Sequence, residues 1–597
     1  MRAKLDAARA VAASADFTEL AAAAGMLAYG RFDPADGATR LWLYRDGRAT
    51  CLTPDGYSVR SRVNEYGGGT FCLAENAAFF VNESDQAIYR QELDGGAPVR
   101  FGGIDGGRYG DLVPDAVHGR LLAVEEHHAD GAFPVHRLVA FDMSGARRVM
   151  AEGDDFYASP CVSRDGGTMA WIAWSRPHQP WTRTRLMRQI DGQPPRIVAH
   201  GDEAVQQPGF DARGRLLALT DRDGCWRPWR FADRVEPLPA PTADHAGAPW
   251  QMGTHTWVGL DDGRLLVTWF DQGFGRLSLL DGDTRTDLAP SYTRFRALAA
   301  DGGTLYAIAA SPTRPSTVLA IDAATGTVTV VAGGESPLPD ECVTVPRAIS
   351  WPVGEATARG FLYLPKGIER PPLVVFVHGG PTSATHPVFD ARIQFWAGQG
   401  FAVADVNYRG STGYGRAYRD ALHEAWGVVD VDDACAVVPW LAAQGLVDPA
   451  RAFIRGSSAG GYTVLCALAF RDVFRGGGSL YGVSDPLALG RATHKFEADY
   501  LDWLIGDPVA DEARYRERTP LLHADGIDVP VIFFQGLRDA VVVPEQTESM
   551  VAALRARGVP CEYHAYPDER HGFRQAANLA HALEHEHAFY ARLASAD

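Results

Sequence analysis

Between about residues 25 and 335 the chain repeats itself, and this repeat limits the fold more than any other feature. Gly119-Arg120-Leu121-Leu122-Ala123, Gly167-Thr168-Met169-Ala170-Trp171, Gly214-Arg215-Leu216-Leu217-Ala218, Gly263-Arg264-Leu265-Leu266-Val267 and Gly303-Thr304-Leu305-Tyr306-Ala307 are one unit, a glycine turn feeding an apolar β run. They recur at roughly 40 to 50 residues, the period of a propeller blade. A further strand follows in some units, as in Leu138-Val139-Ala140-Phe141-Asp142 and Val318-Leu319-Ala320-Ile321-Asp322. A blade cannot bury its own faces, so the units must stack around a channel. A long β-sandwich would need no period. The division gives seven blades starting near residues 25, 67, 108, 156, 204, 254 and 294, with the repeated run expected as the inner strand.

At 597 residues the chain is too long for one core. Leu5, Ala8 and Ala12 share a helical face, so residues 1–20 read as a helical segment and 21–335 as the β-propeller. Ser336-Pro337-Leu338-Pro339-Asp340 opens a linker. Beyond it, apolar runs such as Leu373-Val374-Val375-Phe376-Val377 and Val531-Ile532-Phe533-Phe534 alternate with helical stretches. That alternation predicts an α/β domain over 336–597 with a mostly parallel, doubly wound sheet.

This second region carries the chemistry. Gly456-Ser457-Ser458-Ala459-Gly460 follows the run Ala452-Phe453-Ile454 and precedes an apolar helical stretch from Tyr462 to Phe470. A strand that turns sharply into a helix leaves one serine at its apex, the nucleophile elbow of an α/β-hydrolase. A serine hydroxyl needs a base, and the base needs an orienting acid. In this architecture they follow in the order Ser, Asp, His, on loops at strand C-termini. Asp539 follows the strand at 531–535, and His571 follows the next strand within Pro567-Asp568-Glu569-Arg570-His571-Gly572-Phe573. Val377-His378-Gly379-Gly380-Pro381 stands where an oxyanion loop belongs, so the N–H groups of Gly380 and Ala459 are the expected donors. Pro381 cannot donate.

A propeller followed by His378-Gly379-Gly380-Pro381, by Asn407-Tyr408-Arg409-Gly410-Ser411-Thr412-Gly413-Tyr414-Gly415, by the Ser458 elbow, and by Asp539 with His571-Gly572-Phe573 resembles the prolyl oligopeptidase family of serine peptidases. Within it the chain is most similar to the acylaminoacyl peptidase and bacterial dipeptidyl- or aminopeptidase-like branch, which includes puromycin hydrolase. The resemblance implies cleavage of short peptides or of N-terminal, including acylated, residues, with the propeller excluding folded proteins. Two departures stand out. His378 takes the place of the tyrosine that gives prolyl oligopeptidases proper an oxyanion hydroxyl, and Val541 stands where acylaminoacyl peptidases can carry an arginine.

Phe496, Tyr500 and Trp503 recur at helical spacing on one face, which in relatives contributes to the S1 pocket and which can equally pack on the core. Glu497 can pair with a substrate ammonium or stand as a solvated helix charge. Glu65, within Arg60-Ser61-Arg62-Val63-Asn64-Glu65-Tyr66-Gly67-Gly68-Gly69, is a further substrate-contact candidate set against a plain blade-to-blade turn. An esterase or amidase on the same scaffold, or a non-catalytic propeller interaction protein, are the rival readings.

A net charge of −17 disfavours nucleic acid and anionic membranes as partners. Asp6, Arg9 and Asp16 interrupt any leader-like apolar run, and the eight cysteines are scattered without a CxxC, which places the expected enzyme in a reducing cytoplasm. No cofactor and no metal is expected; His585 and His587 lie on different faces of a helix. The partner is a short peptide or aminoacyl substrate, and a homo-oligomer is left open.

Overall fold

The computed structural model describes residues 4–129 and 133–595, so residues 1–3 of the expected helical segment and the last two of the α/β region lie outside it. Seven four-stranded antiparallel sheets occupy the stretch from Asp16 to Gly333. In each, the strands neighbour one another in chain order, so no blade borrows a strand from elsewhere. The first strands of the blades are Asp16–Ala23, Phe71–Leu73, Gly107–Asp115, Phe156–Val162, Val205–Phe210, Trp257–Gly259 and Arg294–Asp301. Each touches the next, and the last touches the first, which closes the inner ring. Closure uses no strand shared between the first and last blades. Phe17, Leu20 and Tyr29 share a core with Ala297, Ile308 and Val318, and Arg296 donates to Asp16 Oδ1 at 2.5 Å.

The repeated glycine-led run is therefore not the inner strand. It is the second strand of its blade, as in Arg120–His127, Thr168–Trp174 and Leu216–Thr220. A second strand is paired on both edges and covered on both faces, so its sequence carries an uninterrupted apolar run, Leu121–Val124 in Arg120–His127. The first strand faces the channel and carries buried polar groups such as Asp111, Gln206 and Gln207, which hides it from a search for apolar runs.

The N-terminal helix is also shorter than expected. It spans Ala7–Ala12, with Asp6 capping it by accepting the Arg9 N–H at 2.7 Å. Blade one already begins at Asp16, and Ala21-Ala22-Ala23 pair with Met26–Ala28 as a strand despite the helix preference of alanine. Although it precedes the propeller in sequence, the helix packs on the other domain: Leu5, Ala7 and Ala10 are buried against Ile393, Phe395, Trp396 and Phe589.

The α/β region holds an eight-stranded sheet: β1 (Arg347–Val353), β2 (Ala356–Tyr363), β3 (Leu373–Val377), β4 (Ala402–Asn407), β5 (Ala452–Ser457), β6 (Gly477–Leu480), β7 (Val531–Gly536) and β8 (Cys561–Tyr566). The order is β1-β2-β4-β3-β5-β6-β7-β8. Strands β3 to β8 run parallel, and β1 and β2 are antiparallel. Every residue of β3, β4 and β7 is buried, as strands covered by helices on both faces require. This is the α/β-hydrolase sheet.

The domains are joined over the C-terminal edge of the sheet. Asp221 of the propeller and Arg419 of the hydrolase form a fully buried ion pair at 2.6 Å. Asp244 Oδ2 accepts the N–H groups of Gly413 and Gly415, at 3.1 and 2.8 Å. Removing one member of such a buried pair costs about 3–5 kcal/mol, because the other charge is left desolvated. Among the described residues no helix is long and apolar enough to cross a membrane.

Candidate active site

Ser458 sits between the last residue of β5 and the helix Ala459–Phe470, with φ 56° and ψ −122°. This left-handed conformation strains a residue with a Cβ, and close packing around the turn maintains it. The glycines have measurable reasons. A Cβ on Gly456 would lie 2.4 Å from the carbonyl carbon of Gly460, and one on Gly460 would lie 2.3 Å from the Val377 carbonyl oxygen. The elbow is thus pressed onto the end of β3, the strand that feeds the oxyanion loop.

The other two members stand on loops that interlock. The Leu537 N–H donates to Tyr566 O and the Arg538 N–H to Glu569 O, each at 2.9 Å. His571 Nε2 lies 2.9 Å from Ser458 Oγ, and its Nδ1 lies 2.8 Å from Asp539 Oδ2. Asp539 is 4 % exposed, and its Oδ1 accepts the N–H groups of Val541 and Val542 at 2.9 Å. One carboxylate oxygen is held by the backbone and the other faces the imidazole, so the Nδ1–H tautomer is favoured and Nε2 is free to accept the serine proton.

One supporting residue escaped the sequence reading. Glu569 is 2 % exposed and accepts the N–H groups of Arg574 and Gln575, at 3.0 and 2.9 Å, which clamps the ends of the His571 loop. A glutamate between Asp568 and Arg570 has the sequence signature of a surface charge, so no signal distinguished it.

Gly380 and Ala459 border the same space as Ser458. Neither N–H has an acceptor among the described residues, which leaves both for a developing oxyanion. His378 contributes no donor there. Its ring is stacked on Tyr408, its Nδ1–H donates to the Gly379 carbonyl at 2.8 Å, and Nε2 accepts from the Ser411 hydroxyl at 2.8 Å. Burial pushes its pKa down to about 4, so the ring is neutral.

Two spaces meet at Ser458. A cavity of about 740 Å³ between the domains is bordered by Ser458, His571, Tyr481 and Gly380, and on the propeller side by Tyr66, Trp250, Arg294 and Arg296. A narrower apolar pocket of about 40 Å³ runs into the hydrolase beside Ser458, lined by Trp426, Val483, Leu504, Val541 and Val542 together with Glu497 and Tyr500.

Phe496, Tyr500 and Trp503 do not share one face. The segment breaks into a 3₁₀ turn, Lys495–Glu497, and a short helix, Tyr500–Leu504. Phe496 turns toward the propeller and packs among Tyr66, Trp174, Trp181 and Trp250. Trp503 packs on Tyr500 and His423 and does not border the pocket. The uninterrupted helical period was misleading because docking onto the propeller decides the backbone here: Arg176 grips Asp499 at 2.5 Å, and Gln179 Nε2 donates to Phe496 O at 2.8 Å. Glu65 is likewise committed elsewhere, pairing with Arg108 at 2.5 Å.

Glu497 is not a solvated charge. Its side chain is 13 % exposed, Oε1 accepts from the Tyr66 hydroxyl at 2.7 Å, and Oε2 lies 3.5 Å from His494 Nε2. Burial pushes the carboxyl up, but His494 and the Tyr66 hydroxyl outweigh burial and hold it below its ordinary value. A largely shielded anion therefore stands in the pocket that contains Ser458.

The region 387–597 matches the model of the prolyl oligopeptidase family. Over 99 % of its length the chain is 34 % identical to a puromycin-hydrolyzing peptidase of Mycobacterium tuberculosis, with 96 % of that chain covered and a TM-score of 0.94. The chain belongs to the prolyl oligopeptidase family. A puromycin hydrolase structure superposes with a TM-score of 0.95 at 31 % identity, covering 100 % of this chain and 97 % of the other. Dipeptidyl aminopeptidase BIII of Pseudoxanthomonas mexicana is 33 % identical over 39 % of this chain. That match spans only 37 % of the relative's own length. The acylamino-acid-releasing enzyme of Arabidopsis thaliana is 27 % identical over 34 % of this chain and 27 % of its own length. Family membership makes the chain a serine peptidase on a propeller and α/β-hydrolase scaffold.

Proposed function

We propose that this peptidase removes N-terminal residues from short peptides and aminoacyl amides, puromycin-type amides included, through an acyl-enzyme on Ser458. Ser458 Oγ attacks the scissile carbonyl while His571 Nε2 takes its proton. The carbonyl oxygen becomes an oxyanion held by the N–H groups of Gly380 and Ala459. Collapse expels the amine, which leaves with the proton from His571. Water, deprotonated by the same imidazole, then releases the acyl group and restores the serine. Asp539 fixes the tautomer and stabilises the imidazolium. The reading places the enzyme in the cytoplasm, where its eight free thiols stay reduced.

The observation that carries this reading is Glu497, a largely shielded carboxylate lining the pocket beside Ser458. A free substrate ammonium next to it adds a charge-assisted pair to the contacts with Tyr66 and His494, whereas an acylated nitrogen brings no charge to the carboxylate. The test compares aminoacyl p-nitroanilides with their N-acetyl counterparts. Free-amino substrates are expected to win, and Glu497→Gln is expected to lower their kcat/KM about 100-fold, chiefly through KM, on the scale of about 2–3 kcal/mol for a desolvated charge-assisted bond. Preferential turnover of the N-acetyl substrates would move the assignment to an acylaminoacyl peptidase. Faster turnover of simple acyl esters than of any anilide in the set would move it to an esterase.

A further inference from the structure

At the far edge of the sheet, three histidines from two elements converge. His564 stands on β8, and His581 and His585 lie one turn apart on the helix Ala576–Ser595. One ring nitrogen from each lies within 4.8 Å of the other two. We propose that His564, His581 and His585 form a binding site for a first-row divalent cation of the zinc type, at the root of the loop that carries His571. The sequence had directed attention to His585 and His587, which lie on different faces. The fold pairs His585 with His581 instead, four residues apart on one face, and adds a third donor from the neighbouring strand.

The donor set suits the ion. Three neutral imidazoles plus water satisfy a tetrahedral cation of borderline softness, and N–metal bonds of about 2.0–2.1 Å need the nitrogens to close in by small ring rotations. His564 Nε2 is buried and has no hydrogen-bond partner. The nearest carboxylate, Glu562, is 3.6 Å from it and is engaged by Arg592. A desolvated imidazole nitrogen without a partner is costly, and a metal ion is the partner that this geometry accommodates. The His564 ring is fixed by stacking on Phe534, with centroids 5.2 Å apart. His581 Nδ1 lies 2.9 Å from the Tyr566 hydroxyl. In the tautomer where Nδ1–H donates to that oxygen, Nε2 keeps its lone pair for the ion, the outer-shell arrangement that orients metal-binding histidines. His585 is exposed and gives the ion an entry path.

The site has a route to the catalytic loop. Tyr566 ends β8, and its ring packs on Phe573 at 4.9 Å. Phe573 packs on Tyr481 at 5.1 Å, and Tyr481 lies against His571 at 4.9 Å. An ion held by His581 therefore steadies Tyr566 and, through it, the base of the His571 loop.

The experiment uses the full chain, stripped with chelator, exchanged into metal-free buffer and titrated with zinc chloride by calorimetry, with melting followed in parallel. One equivalent is expected to bind saturably and to raise the melting temperature. His585→Ala alters an exposed residue and leaves the core alone; it is expected to weaken that binding by about 100-fold or more and to abolish the thermal shift. His564→Phe, which keeps an aromatic ring on Phe534, is expected to do the same. X-ray absorption at the zinc edge should show three imidazole nitrogens in the parent protein. Absence of saturable binding, or a stoichiometry and affinity unchanged in both variants, overturns the proposal.

Discussion

Ser458→Ala is expected to lower kcat on an aminoacyl anilide by about 10⁵- to 10⁶-fold while leaving the melting temperature within a degree or two of the parent. The chemistry accounts for the size of the loss: without Oγ there is no acyl-enzyme, and only the oxyanion donors and substrate positioning remain. The structure accounts for the unchanged stability. The elbow is set by Gly456 and Gly460 packed against β3, not by the hydroxyl, which among the described residues bonds to His571. Titration with a fluorophosphonate gives the accompanying measurement, since one equivalent should label the parent protein and none the variant. Residual turnover above about a thousandth of the parent rate would remove Ser458 from the nucleophile role.

Asp539→Asn is expected to cost about 10⁴-fold in kcat with little change in KM. The two backbone N–H groups of Val541 and Val542 already point at one side-chain oxygen. An asparagine must present its carbonyl oxygen to them, which turns its NH₂ toward His571 Nδ1. That nitrogen must then accept, the proton moves to Nε2, and Nε2 can no longer take the serine proton. A fall of less than tenfold, measured at substrate saturation, would mean that the tautomer is fixed by something other than Asp539.

The fold and the chemistry were legible to different degrees. Ser458, Asp539 and His571 each sit on a loop directly after a strand of the sheet, so strand order alone places them at one sheet edge. The seven-blade period was equally visible, but the strand it marks was not the inner one. Polar channel-facing residues such as Gln206 and Gln207 break the apolar pattern of the first strands. The insertion was misread for a related reason. Phe496, Tyr500 and Trp503 follow helical spacing, yet partners more than 240 residues away, Trp181 and Trp250 among them, pull Phe496 onto the propeller. No local pattern encodes such contacts. The same holds for Glu497, whose burial depends on Tyr66 of another domain, and for His564, His581 and His585, which meet only once the last strand and the last helix are packed.

The catalytic centre lies between propeller and hydrolase, with a largely shielded anion in the pocket beside the serine. The most direct measurement is kcat/KM along a series of free-amino peptides from two to about twenty residues, with unfolded casein at the end and each peptide also N-acetylated. Placement of the serine at a cavity of about 740 Å³ between the domains predicts a steep fall with length, casein at the background, and acetylation slowing every short member. Casein cleaved as fast as a dipeptide, or acetylated peptides cleaved as fast as free ones, would contradict it.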